Sequence, residues 1–229
     1  MNGVSVEEKT INDIFAGEKK YVVPLYQREY AWTECEVGRL LADIWEAYRN
    51  DSSRNYYVGT LVVKPCENEY EVIDGQQRLT TLSILYSLLK NGNESPVLRF
   101  ANREEVDAAL SMFYRAGGND ALLVDEDSLE DENLAEQNQR LEIIPNALLS
   151  ARKCIKDFRP AEENGDYKNG LLFSDGAADA ELCEYILNKV KVFQVRMQDV
   201  DAMSYFEVMN NRGEQLKYHE LLKEKLVAG

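Results

Sequence analysis

The sequence predicts an α+β fold in which a small mixed sheet is flanked by helices. Short segments near positions 20, 60, 72 and 193 are rich in strand-forming residues, and the last of them alternates strictly between apolar and polar residues. Other segments repeat apolar residues at helical spacing. Because residues 101–188 are mostly helical in pattern, we expect a helical insertion between parts of the sheet.

The first hundred residues are predicted to form four strands and three helices. In chain order these are a helix at 11–16, a strand at 20–23, a helix at 36–48, strands at 56–63 and 70–73, a helix at 76–89 and a strand at 97–100. Thr33 is a candidate N-cap for the second helix, with Glu36 as its capping-box partner. Asn68 lies between two strands, which predicts a hairpin.

The remaining chain is predicted to be mostly helical, with a single strand at 190–196. The expected helices cover 104–114, with Asn102 and Glu105 as cap residues, then 134–158, 177–188, 201–209 and 217–227. Near Pro145 the second of these should break or a new helix should start, because proline cannot continue a helix. Residues 190–196 should form a strand with one buried face. We therefore divide the chain into a core at 1–100, a helical lobe at 101–188 and a closing part at 189–229.

Composition limits the class of protein. The 229 residues are 45% hydrophobic, which suffices for one large or two small packed domains. No apolar run approaches the roughly 18 residues that span a bilayer, and the N-terminus does not resemble a secretory signal. We therefore expect a cytoplasmic protein with no membrane partner.

The charge of the chain disfavours a broad DNA-binding face. The net charge is −15, and residues 101–140 contribute −8 of it, with 11 acidic and three basic residues. The rest of the chain could still carry a locally positive pocket. Four scattered cysteines without a C-x-x-C pair, and one histidine at His219, indicate neither a zinc site nor a nuclease centre. No G-x-x-x-x-G-K-[ST] loop is present, so any NTPase here is not of the P-loop kind.

The run IDGQQRLTTL at 73–82 is the densest group of functional side chains. It lies where a strand pattern changes to a helix pattern, and Gly75 would let the backbone approach a ligand closely. The first N–H groups of a helix attract anions, and Arg78 adds donors that suit phosphate. The run therefore predicts a phosphate site. The alternative is a helix capped by Asp74 or the turn, with Arg78 paired to a surface acid.

Three other segments are candidates for the same site. In PLYQREYAW at 24–32, the aromatic residues could stack on a base while an arginine reaches a phosphate, or they could simply join the core. Gly59, inside an apolar strand, indicates either close approach of a ligand or a bulge. The turn NNRG at 210–213 is either a plain helix stop or a source of an amide and a cation.

Together these blocks resemble the N-terminal domain of GmrSD-type modification-dependent restriction proteins and related phage-defence proteins, which is similar in fold to ParB and sulfiredoxin. The blocks are PLYQREYAW, YVGTLVV at 57–63, IDGQQRLTTL and FEVMNNRGEQL at 206–216, in the family order. The resemblance implies a nucleotide-binding and nucleotide-hydrolysing domain that regulates a nuclease domain or subunit. DNA would then be an indirect partner, and a homo-oligomer is left open.

The resemblance also implies roles for individual residues. Catalytic roles would belong to Asp74, Gln77 and Arg78. Contacts to the nucleotide or its phosphates would come from Gln27, Arg28, Tyr30, Gly59, Gly75, Gln76, Thr80, Thr81, Asn210, Arg212 and Gly213.

Asp74 raises a conflict of charge, because a bare phosphate repels a carboxylate. A Mg²⁺ ion would remove it, so the expected cofactor is a nucleoside triphosphate with Mg²⁺, and Asp74 would hold the metal or a water. Alternatively, Asp74 turns away and bonds to the backbone. Two other functions remain open, a DNA-recognition module and a non-catalytic interaction domain of the same kind of system.

Overall fold

The described chain, residues 4–90, 94–119, 123, 144–159 and 180–197 of a computed structural model, is organised around a six-stranded mixed sheet. The strands are β1 (Val4–Thr10), β2 (Lys20–Val23), β3 (Tyr56–Cys66), β4 (Glu69–Asp74), β5 (Leu98–Phe100) and β6 (Val190–Met197). Their order in the sheet is β1-β6-β3-β4-β2-β5. The predicted α+β class is confirmed, whereas the proposed division into three parts stays a prediction.

The sheet combines antiparallel and parallel pairs. β3 and β4 form the predicted antiparallel hairpin, and β1 pairs antiparallel with β6. The pairs β3–β6, β2–β4 and β2–β5 are parallel. β6 therefore lies between β1 and β3, far from both in sequence.

β1 was not predicted from the sequence, and its position explains why. It is an edge strand in which no residue is fully buried. Its sequence VSVEEKT carries three charged residues, which is typical of a strand that borders solvent. Such a strand lacks the apolar alternation on which strand prediction depends.

Six helices are present in the described ranges. They are α1 (Ile11–Phe15), α2 (Glu34–Asn50), α3 (Gln76–Leu89), α4 (Glu104–Ala116), α5 (Asn146–Lys156) and α6 (Ala180–Lys189). The predicted capping box of α2 is confirmed, since Thr33 accepts at its hydroxyl and Glu36 accepts from the Thr33 N–H at 2.7 Å. None of these helices is long and apolar enough to cross a membrane.

Two predicted helix starts have different outcomes. Near Pro145 the sequence predicted a break or a new helix start, and the helix start is confirmed, because this residue is the N-cap of α5. The part of the predicted helix at 134–143 lies outside the described residues. The prediction of Asn102 as the cap of α4 is wrong. Asn102 has a φ of +56°, and the cap position belongs to Arg103, which makes no side-chain capping bond. Asparagine tolerates the left-handed region better than most residues, so Asn102 turns the chain rather than capping it.

The core is built around α3, in which twelve of 14 residues are buried. Most of its buried polar side chains are hydrogen-bonded within the protein, as in the contact of 3.1 Å between the Ser83 and Tyr114 hydroxyls. A second, smaller cluster contains Val62, Ile73, Val195 and Met197. The prediction that the last strand has one buried face is therefore wrong, because Val195 and Met197 are buried on the face opposite Val192.

Buried tyrosines should make the fold sensitive to high pH. Burial raises the pKa of Tyr30 to about 12 and also raises the pKa of Tyr21, Tyr86 and Tyr114. An unfolded tyrosine titrates near 10. The stability contributed by these groups is thus complete below about pH 10 and is lost as the pH rises through their folded pKa values.

We expect the free energy of unfolding to fall above about pH 10, and circular dichroism to lose helix as tyrosinate absorbance appears. Tyr30→Phe removes one titrating hydroxyl, so its stability should fall less between about pH 10 and 12 than that of the wild type. Complete ionisation of the tyrosines with an unchanged dichroism spectrum would contradict this prediction.

Candidate functional site

The junction between β4 and α3 brings the backbone unusually close to β3. Gly75, the N-cap of α3, has a φ of +91°. A Cβ atom at this position would lie 3.0 Å from the carbonyl oxygen of Thr60 and 3.4 Å from the Cα of Leu61. Only glycine therefore fits both the conformation and the space.

α3 begins without a side-chain cap. The alternative of a helix capped by Asp74 is thus not the one observed. The first N–H groups of an α-helix have no intrahelical acceptors, and they carry the positive end of the helix dipole. The helix start is therefore suited to an anion.

Arg78 lies beside this helix start and fills the space that Gly59 leaves. Its Nη1 donates to the Thr60 carbonyl at 3.2 Å, and a Cβ on Gly59 would lie 3.1 Å from the Arg78 Cζ. Gly59 has a φ of +119° and falls where the β3–β6 register shifts between Tyr57 and Thr60. It thus marks both a strand irregularity and a close approach, and the approaching group is the Arg78 guanidinium.

The electrostatics of Arg78 have two opposing causes. Burial lowers the pKa of Arg78, whereas the nearby Asp74 carboxylate raises it. The bond to Thr60 is the single hydrogen bond that Arg78 makes with the part of the chain that the structure describes. A half-buried cation with several unused donors is thus held next to the start of α3.

Asp74 is exposed at the end of β4. Its carboxylate forms no hydrogen bond with any residue that the structure describes, so the alternative in which it bonds to the backbone is not observed there. Within the same ranges, no group of three or more His, Cys, Asp or Glu side chains could hold a metal ion.

A small cleft of about 10 Å³, room for about one water molecule, adjoins these residues. It is lined by Thr60, Leu61, Gly75, Arg78, Leu79, Leu82 and Val192. Sites for small molecules usually measure about 300–1,000 Å³. A phosphate group or a nucleotide would thus have to bind at the mouth of the cleft rather than inside it.

Gln77 is buried and bonded entirely to main chain. Its Oε1 accepts from the N–H groups of Ala31 at 2.8 Å and Trp32 at 3.2 Å, and its Nε2 donates to the Glu29 carbonyl at 2.8 Å. The amide thus fixes the chain before α2 against α3. The catalytic role predicted for Gln77 stays a prediction, but its contacts are those of a structural residue.

Two other glutamines connect the same parts of the fold. The Nε2 of Gln27 donates to the Ile73 carbonyl at 2.6 Å, and the Nε2 of Gln76 donates to the Arg28 carbonyl at 3.0 Å. The Oε1 of Gln76 is buried without a hydrogen-bond partner among the described residues. Gln76 therefore keeps an unused acceptor that is buried.

Tyr30, Thr80 and Thr81 lie in the core. For Tyr30 the sequence had left open whether its ring stacks on a base or joins the core. The hydroxyls of Tyr30 and Thr81 are 2.8 Å apart. Thr80 and Thr81 donate to the carbonyls of Gln76 and Gln77, one helical turn earlier, and both are fully buried. None of the three residues lines the cleft, so their predicted nucleotide contacts stay untested.

Arg28 is exposed, and its carbonyl accepts bonds from both Gln76 and Arg103. Arg103 was not selected from the sequence, because an arginine before a helix carries no distinctive signal. The predicted contributors Asn210, Arg212 and Gly213, and also His219, lie outside the described residues. The observed site thus consists of the α3 start, the half-buried Arg78 and the exposed Asp74, and Arg28 is linked to it through the bond from Gln76 to its carbonyl.

One comparison with known proteins gives a match. A family model described as the N-terminal domain of GmrSD restriction endonuclease matches residues 11–227. This range includes all four sequence blocks, from 24 to 216. No curated protein matches the sequence.

Proposed function

The chain belongs to the family of GmrSD restriction endonuclease N-terminal domains, and from this premise we propose that it binds and hydrolyses a nucleoside triphosphate. Family membership makes the protein a component of a restriction or defence system. The proposal adds that the nucleotide site at the start of α3 regulates a nuclease domain or subunit.

The half-buried Arg78, with one hydrogen bond to the described chain and beside an uncapped helix start, is the observation that carries this proposal. Removing a guanidinium from water is costly unless an anion and further hydrogen bonds compensate. Arg78 has one hydrogen bond to the described chain, at the Thr60 carbonyl. Phosphate oxygens would accept from its remaining donors and from the first N–H groups of α3.

Asp74 fits a metal-assisted form of this site. Mg²⁺ usually takes one or two protein carboxylates and completes its shell with phosphate oxygens and water. The exposed Asp74 carboxylate supplies one such ligand one residue before Gly75. When bound, Mg²⁺ would neutralise phosphate charge. Asp74 would hold the ion, while Arg78 would bind and orient the phosphate.

The small cleft implies that the sugar and base would lie outside it. Arg28 is an exposed cation whose carbonyl accepts from the Gln76 side chain at the start of α3. We therefore propose that Arg28 contacts the nucleotide beyond the phosphate nearest to Arg78. Asn210, Arg212 and Gly213 stay predicted contributors.

Calorimetry with ATP, GTP, CTP and UTP, with and without Mg²⁺, tests the proposal. We expect saturable binding of at least one nucleotide that is tighter with Mg²⁺, together with phosphate release. Asp74→Asn should lose hydrolysis and most of the Mg²⁺ dependence. In chelator it should bind at least as tightly as the wild type, because the variant no longer repels phosphate.

Absence of heat for all four nucleotides would remove the proposal. If DNA instead bound with a steep loss of affinity at high salt, the DNA-recognition alternative would replace it.

A further inference from the structure

We propose that Arg103 is a positioning residue of this site, which holds residues 24–28 so that the exposed Arg28 side chain is directed to the nucleotide at the start of α3. This inference rests on the proposed function, because Arg28 acts there on the nucleotide. Arg103 lies outside all four sequence blocks of the family and is the residue at the N-cap of α4.

The sheet places Arg103 next to residues 24–28. β2 and β5 are parallel neighbours, so the chain leaves both strands at the same edge of the sheet. The Ala101 N–H donates to the Val23 carbonyl at 2.9 Å, which joins the two exits. Asn102, with its left-handed backbone, then turns the chain, and Arg103 follows.

The Arg103 guanidinium binds three main-chain carbonyls of this short segment. Nη2 donates to the carbonyls of Gln27 and Leu25, the latter at 3.4 Å, and Nη1 donates to the carbonyl of Arg28 at 3.3 Å. Bonds from a charged donor are stronger than neutral ones. One side chain thus fixes the path of residues 25–28 from outside the segment.

Inside the segment, Tyr26 packs against the Val62 cluster and donates to Glu71 at 2.9 Å, and Gln27 is buried, but Leu25 and Arg28 lack such anchors. The Leu25 side chain is 59% exposed and Arg28 is exposed, so apolar packing does not hold either of them. On the other side, Gln27 bonds to the Ile73 carbonyl and Gln76 bonds to the Arg28 carbonyl. Arg103 therefore completes a clamp whose other half belongs to the β4–α3 junction. A long side chain such as Arg28 can reach a fixed point only if its own backbone is fixed.

The first experiment measures hydrogen exchange of the amides at 25–29 without nucleotide. We expect faster exchange in Arg103→Gln and an intermediate rate in Arg103→Lys, which keeps the charge but not the planar fork. Arg99→Gln is the matched control. Arg99 is a neighbouring exposed arginine that pairs with Glu69 at 3.2 Å and contacts nothing in the segment. The amides at 25–29 should exchange at the same rates in Arg99→Gln as in the wild type.

The second experiment is a double-mutant cycle with Arg28→Gln. Arg103→Gln should raise the nucleotide KM about tenfold and change kcat less than about twofold. In the Arg28→Gln background the same substitution should have little further effect, because the residue it positions is gone. A merely structural role would instead give additive losses.

The outcomes separate the two proposals. If the wild type binds nucleotide but exchange at 25–29 is unchanged in Arg103→Gln, or the two losses add, the positioning role is overturned and the nucleotide site stands. If the wild type binds no nucleotide, the proposed function fails and the role of Arg103 fails with it.

Discussion

Replacing Arg78 with alanine is expected to reduce nucleotide affinity by at least about 100-fold. Two lost charge-assisted hydrogen bonds, at about 1.5–3 kcal/mol each, correspond to a loss of that size. Calorimetry on the nucleotide that the wild type binds best is the direct measurement. Thermal unfolding should show that the variant remains folded, because the wild-type guanidinium is itself costly to bury.

Two further variants separate the charge of Arg78 from its geometry. Arg78→Lys keeps a cation but cannot present a planar fork, so it should recover only part of the affinity. Gly59→Ala keeps Arg78 but places a Cβ 3.1 Å from its Cζ at a φ of +119°, which should displace the guanidinium and weaken binding about tenfold. Arg99→Ala is the control and should bind as the wild type does. Wild-type affinity in Arg78→Ala would contradict the assignment of the phosphate site.

Gln77→Leu is expected to lower the free energy of unfolding by about 3 kcal/mol. The substitution leaves the Ala31 and Trp32 N–H groups and the Glu29 carbonyl without their partner, and each unsatisfied partly buried group costs about 1–3 kcal/mol. Chemical denaturation monitored by tryptophan fluorescence measures the loss, and Trp32 lies in the released segment.

Glu29→Gln is the matched control for this change. It alters an exposed side chain in the same segment but keeps the main-chain carbonyl that Gln77 binds, so its stability should equal that of the wild type. The opposite pattern, a Gln77→Leu protein of wild-type stability that binds nucleotide but no longer hydrolyses it, would instead support the catalytic role that the family resemblance implies.

The elements with strong local patterns could be predicted from the sequence. β2 and α3 begin and end at the predicted residues, and the Thr33 capping box is present as expected. In each case the signal is local, because apolar spacing and a cap three residues from its partner lie within one segment. β1 escaped prediction because its pairing with β6 involves residues near the other end of the chain.

The candidate site was less predictable for the same physical reason. The sequence placed Gly75 and Arg78 at a helix start, where the structure has them. It could not show that Gln77 bonds to main chain 45–48 positions earlier, since the partners of an amide depend on which backbone comes near. Nor could it show that the group approaching Gly59 is Arg78 rather than a ligand.

The position of β6 has a consequence for how this protein forms during synthesis. Among the described residues β1 pairs only with β6, and β3 lies between β4 and β6. One edge of each strand therefore stays unpaired until residues 190–197 have been synthesised. A ribosome must therefore release almost the whole described chain before the sheet can close. Such long-range pairing makes folding slow and leaves an unpaired strand edge exposed to aggregation in the meantime. The nascent chain is thus expected to need protection by chaperones until β6 has been synthesised.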